Sequence, residues 1–272
     1  MLRKTYICDM IQFYKYHGAG NDFIMLNLLE ESIVLTQRQI WQMCDRHKGI
    51  GADGLMLLLP SDKSDFEMKY YNSNGLEGSM CGNGGRCIVS FAYDMGIEMD
   101  EYEFIAVDGW HRARILEIND KEKTIELQMA DVDMVATVNG RMVIDTGSPH
   151  YLDFRENVED IDVYAEGKSI RYSDSFKESG VNVNFIETDA NQLFVRTYER
   201  GVEDETLACG TGVTAAAIAS SIRQNLKYKD FDIKTKGGEL NVTFDSTDGQ
   251  RFTNIYLRGP AEYVFTGAID IE

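Results

Sequence analysis

Apolar and polar residues alternate along the first part of the chain in a way that predicts strands around one helix. QFYKYH and DFIMLNLL predict two strands joined by the tight turn HGAGN. Residues 36–48 are amphipathic and begin at Thr36, a good N-cap residue, which predicts a helix. GLMLLLP and DFEMKYYN predict two more strands, and residues 82–95 predict a central helix. EFIAV, HRARILEI and TIELQM predict the strands that follow.

The same order recurs in the second half of the chain. MVATV, RMVIDTG, VNFIET and LFVRTYE predict strands, a helix follows Cys209, and further strands are expected from Tyr228 onward. We also expect a helix near residues 158–165. Strands followed by one cysteine-led helix, twice in one chain, indicate an internal duplication. We therefore expect one half over residues 1–130 and a second over 131–263, with a last strand at about 264–272 that can return to the first half.

Cys81 and Cys209 open two closely matching phrases. The first begins CGNGGRCIVSF and the second CGTGVTAAAIA, so each places a C-G-x-G turn before a run with helical spacing. A single cysteine at a helix start is a structural residue about as often as a reactive one. Two cysteines with the same flanking glycines favour a function, and two matched thiols suit an enzyme that inverts a stereocentre by acting on its two faces.

A C-G-x-G helix start can bind a carboxylate. The first helical turn leaves backbone N–H groups unpaired and carries partial positive charge, and glycines let a ligand approach closely. We expect Gly82–Asn83 and Gly210–Thr211 to hold one substrate carboxylate between the two sulfurs. One thiolate can then remove the α-proton while the opposite thiol delivers another, and donors at the carboxylate stabilise the carbanion. Such an inversion needs neither pyridoxal phosphate nor metal, so no cofactor is expected.

This chemistry requires one ionised thiol and one protonated thiol, so the pair should titrate as a coupled unit. A helix dipole contributes roughly 0.3–1 kcal/mol, whereas one pKa unit corresponds to about 1.4 kcal/mol. The dipole therefore lowers the pKa of a thiol by less than one unit, and burial raises it again. His150, Glu199 or a substrate ammonium must help. We expect the reactive thiolate to form fully only in the closed complex with substrate.

Composition and charge exclude several classes of protein. The chain of 272 residues has a formal net charge of −18 and no block rich in Lys and Arg, so nucleic acid is not an expected partner. No apolar run approaches the roughly 18 residues of a membrane span, and the first residues do not resemble a signal peptide. Five cysteines without framework spacing fit free thiols in a reducing cytoplasm.

Two local patterns imitate binding motifs. GIGADG, residues 49–54, matches G-x-G-x-x-G, but the dinucleotide fingerprint needs a strand before it and a helix after it, the reverse of the order predicted here. Cys44 and His47 form a C-x-x-H pair without the further ligands of a zinc site, so no metal is expected. Cys87 is expected to be a small buried apolar residue and Cys8 an incidental one.

Longer motifs carry a resemblance to a known family. HGAGNDF, HKGIGADG, YNSNGLEGSMCGNGGRC, TGSPH, GVNVNF and ERGVEDETLACGTG occur in this order and span nearly the whole chain. In these motifs the sequence resembles the diaminopimelate epimerase family, which interconverts LL- and meso-diaminopimelate in lysine and peptidoglycan biosynthesis. The resemblance implies an α/β (α+β) fold of two similar domains related by pseudo-twofold symmetry. Each domain would wrap strands around a central cysteine-led helix, with the active site in the cleft between the domains and no cofactor.

The resemblance also implies roles for residues by position. Cys81 and Cys209 correspond to the catalytic pair, usually as proton donor and acceptor, and His150 and Glu199 lie where the family tunes the thiols. The residues that match substrate-binding positions are Asn21, Asn72, Gly82, Asn83, Asn182, Glu199, Arg200, Gly210 and Thr211. Asparagine offers a donor and an acceptor and arginine can grip a carboxylate, which suits the zwitterionic far end of diaminopimelate. A homodimer is implied by the resemblance alone.

The chain departs from the family's pattern at a few places. Ser148 stands where many members have Asn, and Gly54 stands where some have Gln. The segment between Arg200 and Cys209 is one residue longer than the common form. These departures concern contacts with the distal end of the substrate. The family's pattern begins after the first nine residues, which makes Met10 a second candidate for the translation start.

Three other interpretations remain open. A related cofactor-independent racemase could act on a different amino acid. A cysteine hydrolase or amidotransferase would need one cysteine with a histidine base and no second matched thiol. In a non-catalytic or redox protein, Cys81 and Cys209 would simply pair as a disulfide.

Overall fold

The computed structural model describes residues 10–78 and 81–271, and Cys8 lies outside them. The elements of the first half, in chain order, are β1 (Ile11–Gly18), β2 (Asn21–Asn27), α1 (Gln37–Cys44), β3 (Gly54–Leu59), β4 (Phe66–Asn72), α2 (Gly82–Asp94), β5 (Glu101–Ala106), β6 (Gly109–Asn119) and β7 (Glu122–Gln128). Those of the second half are β8 (Val135–Val138), β9 (Arg141–Asp145), β10 (Pro149–Phe154), α3 (Val163–Arg171), β11 (Asn182–Asp189), β12 (Gln192–Glu199), β13 (Asp204–Thr206), α4 (Gly210–Arg223), β14 (Asp230–Thr235), β15 (Gly238–Asp245) and β16 (Thr253–Ile269).

The strands of the first half form a closed ring around α2. Strands β1 to β7 pair in chain order, and β16 pairs with both β7 and β1, which closes the ring. Helix α2 contacts strands around this ring, including β1, β2, β7 and β16. Its residues Gly82–Ala92 are all buried, and these include the polar residues Asn83, Arg86 and Ser90.

The second half repeats this arrangement around α4. The first part of β16 pairs with β15, and the sheet continues through β14, β12, β11, β10, β9 and β8, with β13 paired to β12. Helix α4 packs on these strands from β9 to β15. Its small residues, such as Ala215–Ala217, are fully buried, so the strands approach the helix closely.

The register of the strands shows the duplication more clearly than the sequence does. In each half a parallel strand pair flanks a short outer helix: β2 and β3 flank α1, and β10 and β11 flank α3. A second parallel pair flanks each central helix: β4 and β5 around α2, and β12 and β14 around α4. These parallel pairs and the helices between them occur in the same order in both halves. Equivalent positions can therefore be compared residue by residue.

Strand β16 joins the two halves. Its first part pairs with β15 of the second half, and its end pairs with β1 of the first, where Ile11 faces Ile269 and His17 faces Glu262. Between β7 and β8, Val132 also exchanges two backbone hydrogen bonds of 2.9 and 2.8 Å with Phe252. The division near residue 130 stays a prediction, but β16 ties both halves into one pairing network.

Most predicted elements are confirmed, and two helices are corrected. Thr36 caps α1 through a capping box with Gln39, but the helix ends at Cys44 and not at Lys48. The Asp45 carboxylate accepts the backbone N–H groups of His47 and Lys48, each at 2.8 Å, which turns the chain out of the helix.

The helix expected at residues 158–165 was placed too early. A short 3₁₀ turn occupies Val158–Asp160, and α3 starts only after Asp162, whose side chain accepts the Ala165 N–H at 3.0 Å. Strands β10 and β13 were missed. Among the described residues, no helix is long and apolar enough to cross a membrane.

Helices α2 and α4 meet at their N-termini, where glycine is required. A Cβ atom on Gly210 would lie 2.9 Å from Leu257 Cδ2 and 3.2 Å from the Gly82 Cα. A Cβ atom on Gly82 would lie 2.7 Å from the same methyl and 3.5 Å from the Gly210 Cα. The two helix starts are therefore in backbone contact, which only residues without side chains permit.

We expect Gly210→Ala to destabilise the protein by about 1–3 kcal/mol, as overpacking does in a filled core. The Leu257 methyl can rotate away, but the Gly82 backbone cannot, so the helix starts must separate. Urea unfolding followed by circular dichroism measures the change in the free energy of unfolding. A variant as stable as the parent protein would show that the helix starts are not in contact.

Candidate active site

Each central helix begins at one of the two matched cysteines. Cys81 and Cys209 are the N-cap residues of α2 and α4, and both have extended backbone geometry. The Cys81 sulfur accepts the Gly84 N–H at 3.3 Å, as an N-cap side chain does. Since Gly82 and Gly210 touch, the two sulfurs flank the junction between two positive helix ends.

Around Cys81 the structure brings together three of the expected residues. The Cys81 thiol donates to Asn21 Oδ1 at 3.7 Å, and Asn83 Nδ2 donates to the same oxygen at 3.3 Å. The Asn83 amide also donates to the Ala208 carbonyl at 2.9 Å, next to Cys209. One buried amide thus joins the first helix start to the second.

Asn21 is held by an ionic cluster that sequence reasoning missed. Its amide donates to Asp53 at 2.6 Å, and Arg46 bridges Asp53 and Asp22 at 2.6 Å to each. The buried Lys15 ammonium lies 2.6 Å from Asp22. Although burial raises the pKa of Asp22, its contacts with Arg46 and Lys15 dominate and lower it to about 2.

Around Cys209 the expected residues form a connected polar group. Cys209 is only 7% exposed, and its sulfur lies 3.4 Å from the Thr211 hydroxyl. That hydroxyl lies 2.9 Å from His150 Nε2, and Ser148 Oγ lies 3.1 Å from the same nitrogen. Ser148, expected to matter only for the distal substrate end, is therefore part of the group beside the thiol.

Asn182 links this group to Arg200. Its amide nitrogen donates to Ser148 Oγ at 3.0 Å and its oxygen accepts the Arg200 N–H at 2.8 Å. The exposed Arg200 guanidinium donates to the Ser179 carbonyl at 3.0 Å. Asn182 therefore orients the chain that carries Arg200, and the charged end of Arg200 stays accessible.

Asn72 is hydrogen-bonded within its own strand and the turn that follows it. The Tyr70 hydroxyl donates to its side-chain oxygen at 3.2 Å, and its amide donates to the Leu76 carbonyl at 3.4 Å. A side chain at Gly54 would lie 2.4 Å from the Tyr70 ring, so Tyr70 fills the space that glycine leaves. No local signal in the sequence pointed to this role of Tyr70.

The electrostatic surroundings keep both thiols protonated in the free protein. Burial raises the pKa of Cys81 against the lowering effect of the Gly84 N–H. Burial and then the Glu199 charge raise the pKa of Cys209 above the ordinary range. Burial also raises the pKa of Glu199, which outweighs its favourable contacts with Thr206 and Cys209. The expectation that helix ends alone do not ionise the thiols agrees with these directions.

His150 is fully buried and neutral. Burial lowers the pKa of its imidazole to about 3 against the raising effect of the Asn184 side chain, and the nearby Arg200 charge lowers it further. It therefore lies beside Cys209 as an uncharged hydrogen-bonding group and not as a counter-charge for a thiolate.

The remaining sequence patterns lie away from the two thiols or in the core. GIGADG lies between α1 and β3, the reverse of a dinucleotide-binding loop. Cys87 is buried, whereas His47 is exposed and cannot share a site with the buried Cys44. In the described ranges no group of three or more His, Cys, Asp or Glu side chains could hold a metal ion. A groove of about 1020 Å³ beside β14 and β15 contains none of the expected site residues.

Comparisons with known proteins decide the family. The family model described as diaminopimelate epimerase matches residues 13–135 and again 142–264. The chain belongs to the diaminopimelate epimerase family. A protein of that name from Flavobacterium psychrophilum is 47% identical over 261 residues, 95% of this chain and 100% of that protein. Another, from Chlorobaculum tepidum, is 41% identical over 93% of this chain and 99% of its own length.

Solved structures show the same fold at low sequence identity. A phenazine biosynthesis protein of the PhzF family from Bacillus anthracis has a TM-score of 0.74 at 14% identity, covering 96% of this chain and 99% of that one. A hydroxyproline epimerase from Agrobacterium vitis has a TM-score of 0.69 at 14% identity, covering 96% of this chain and 91% of that one. The expected α+β fold of two similar domains is confirmed.

We expect Glu199→Gln to increase the alkylation rate of Cys209 in the substrate-free protein. The Glu199 charge raises the pKa of Cys209, so its removal lowers that pKa and increases the thiolate fraction at a given pH. Iodoacetamide labelling with peptide mass mapping measures the rate at Cys209 in the parent protein and in the variant. Glu178→Gln, on an exposed residue, is the matched control. A slower or unchanged rate at Cys209 would contradict this electrostatic coupling.

Proposed function

We propose that this protein converts LL-2,6-diaminopimelate to meso-diaminopimelate, with Cys81 and Cys209 as its two acid–base groups. Membership of the family makes it an isomerase of the epimerase type that acts on a small molecule. One observation carries the assignment of the site: two cysteine-capped helix starts meet at Gly82 and Gly210. A hydrolase needs one reactive thiol, and nothing in its chemistry calls for this symmetric junction.

The junction suits a carboxylate because two helix N-termini point at it. The backbone N–H groups of Gly82–Asn83 and Gly210–Thr211 would bind the substrate carboxylate and stabilise the charge that moves onto it. The α-carbon would then lie between the two sulfurs. Binding and carbanion stabilisation are thus performed by the same donors.

The proton balance of the reaction follows from this position. The thiolate of one cysteine takes the α-proton, and the C–H electron pair moves into the carbanion. The thiol of the other cysteine gives its proton to the opposite face of the carbon, which inverts the centre. After the step the two cysteines have exchanged their protonation states, so the reverse reaction can start from the product side.

The raised pKa values of both thiols fit activation by the bound substrate. In the free protein, burial holds Cys81 and Cys209 in the neutral form. A bound ammonium would bring a positive charge beside the sulfurs, lower the pKa of the nearer thiol and pair with Glu199. The burial of Cys209 also means that the halves must open to admit the substrate.

The far end of the substrate would reach the exposed members of the site. Arg200 presents a guanidinium that can bind the second carboxylate, and Asn72 presents an amide for the second ammonium. Both residues lie outside the immediate surroundings of the thiols. This division into a reacting end and a recognition end favours a long zwitterionic substrate over a proline-like one.

The proposal includes a cytoplasmic location and a homodimer. Among the described cysteines, Cys44, Cys81, Cys87 and Cys209 are all free, as a reducing compartment allows. Light scattering on a size-exclusion column tests the dimer.

The decisive experiment is incubation of the purified, reduced protein with LL-diaminopimelate in D2O without added cofactor. We expect α-deuteration together with formation of the meso isomer, followed by NMR and chiral chromatography. Cys81→Ala and Cys209→Ala should each abolish epimerisation, because each inversion needs both thiols. No exchange by the reduced parent protein would overturn the proposed function, and near-full turnover by either variant would overturn the two-base mechanism.

A further inference from the structure

A buried chain of hydrogen bonds continues beyond His150, away from Cys209. The Thr197 hydroxyl donates to Asn184 Oδ1 at 2.9 Å, and Asn184 Nδ2 lies 3.1 Å from His150 Nδ1. Asn184 and His150 are fully buried and Thr197 nearly so. The mechanism above uses neither Asn184 nor Thr197, although both side chains are polar and lie in the core.

The orientation of the Asn184 amide follows from its neighbours. Asn184 Nδ2 also lies 3.2 Å from the Tyr151 carbonyl oxygen, which can only accept a hydrogen bond. The atom at that position must therefore be the amide nitrogen. The same nitrogen faces His150 Nδ1, so Nδ1 accepts a hydrogen bond and carries no proton.

The tautomer of His150 is fixed as a result. A neutral imidazole without a proton on Nδ1 carries it on Nε2, which lies 2.9 Å from Thr211 Oγ1. Asn182 Nδ2 is also 3.5 Å from Nε2, but it has closer acceptors in Ser148 Oγ and the Pro149 carbonyl. With its oxygen accepting from His150, the Thr211 hydroxyl keeps its own proton, and the Cys209 sulfur and Ser148 Oγ lie 3.4 Å away as its possible acceptors.

The equivalent positions of the first half are apolar or aromatic. Phe23 pairs with Gly54 in the register in which His150 pairs with Asn182. The residue two places after Gly54 is Met56, which corresponds to Asn184. Met56 faces Tyr70 across the strands, as Asn184 faces Thr197.

The helix glycines confirm this correspondence. A Cβ atom on Gly212 would lie 2.5 Å from Asn184 Oδ1 and 3.3 Å from His150 Cε1. A Cβ atom on Gly84 would lie 2.1 Å from the Met56 methyl and 3.6 Å from Phe23. The polar chain therefore lies beneath Cys209 and not beneath Cys81.

We propose that Asn184 and Thr197 are positioning residues that hold His150 as the neutral tautomer protonated on Nε2 and so direct the Thr211 hydroxyl at Cys209. The Tyr151 carbonyl orients the amide and Thr197 holds its oxygen in place; the amide then fixes the imidazole, and the imidazole fixes the hydroxyl. The consequence for catalysis rests on the proposed function, because it assumes that the Cys209 thiolate takes part in the reaction. The tautomer itself does not depend on that assumption.

The test is ¹⁵N NMR of histidine-labelled protein. The chain has four histidines, and His150→Gln identifies the signals of His150. In the parent protein we expect the Nε2–H form and no titration near 6.5, the ordinary histidine value. In Asn184→Asp the carboxylate can only accept, so Nδ1 must gain a proton. An Nδ1–H form in the parent protein, or an unchanged spectrum in a folded Asn184→Asp variant, would overturn the inference.

Thr197→Val provides a second test that does not introduce a charge. We expect a mixture of tautomers and a fall of roughly tenfold in kcat with little change in KM, the size expected for one lost buried hydrogen bond. Thr197→Ser restores the hydroxyl and should restore both readouts. Met56→Leu, the volume-conserving change at the mirror position, should alter neither.

The two readouts separate this inference from the proposed function. If the protein showed the expected tautomers but no epimerisation of diaminopimelate, the proposed function would fail and the positioning chain would stand. If it epimerised the substrate but Thr197→Val changed neither the tautomer nor kcat, the positioning role would be wrong.

Discussion

The contact between the N-termini of α2 and α4 is the constraint on which the rest of the structure depends. Two helix ends of the same sign repel each other, and the fully buried guanidinium of Arg86 adds a third positive charge by donating to the Gly82 carbonyl at 3.1 Å. Strand β16, which pairs with strands of both halves, holds the two ends together despite this repulsion. The positive helix ends favour an anion at the junction, which supports the proposed binding of the substrate carboxylate there.

At this junction the effect of burial on the two thiols is larger than the effect of the helix ends. The positive surroundings would favour thiolates, but desolvation is the first cause of the raised pKa at both Cys81 and Cys209. A thiolate becomes favourable only when another group supplies charge inside the closed site. In the proposed mechanism, substrate binding and thiol activation are therefore the same event.

Sequence reasoning predicted the features that depend on local pattern. The C-G-x-G phrases gave both helix starts, and the alternation of apolar residues gave most strands. Strand β10 was missed because its six residues begin with Pro149 and directly follow a glycine turn, which is the usual signature of a loop. Asp162, which follows the 3₁₀ turn, caps α3, and the start of this helix could not be located without its packing.

Parts of the site could not be predicted because their contacts join distant segments. Asp53 reaches Asn21 and Thr197 reaches Asn184 only after the sheets form. Asn184 itself gave a weak signal, since V-N-V-N-F places it on the same strand face as Asn182. A polar residue at an inward position is unusual enough to mark a network, although only the structure shows which thiol it serves.

A duplicated fold would by itself make the two cysteines equivalent, and a two-base reaction requires that at any moment they differ. The cysteines and the glycines beside them are the same in both halves, so binding of the carboxylate can remain symmetric. The difference lies one layer deeper, where His150, Asn184 and Thr197 occupy the positions that Phe23, Met56 and Tyr70 occupy in the first half. In the proposed mechanism, an uncharged donor chain would stabilise a thiolate at Cys209 without adding a fixed charge that would hold it in that state. Because the chain is neutral, the proton could still return to Cys209 in the reverse reaction, so the asymmetry would set a preference between the thiols without blocking either direction.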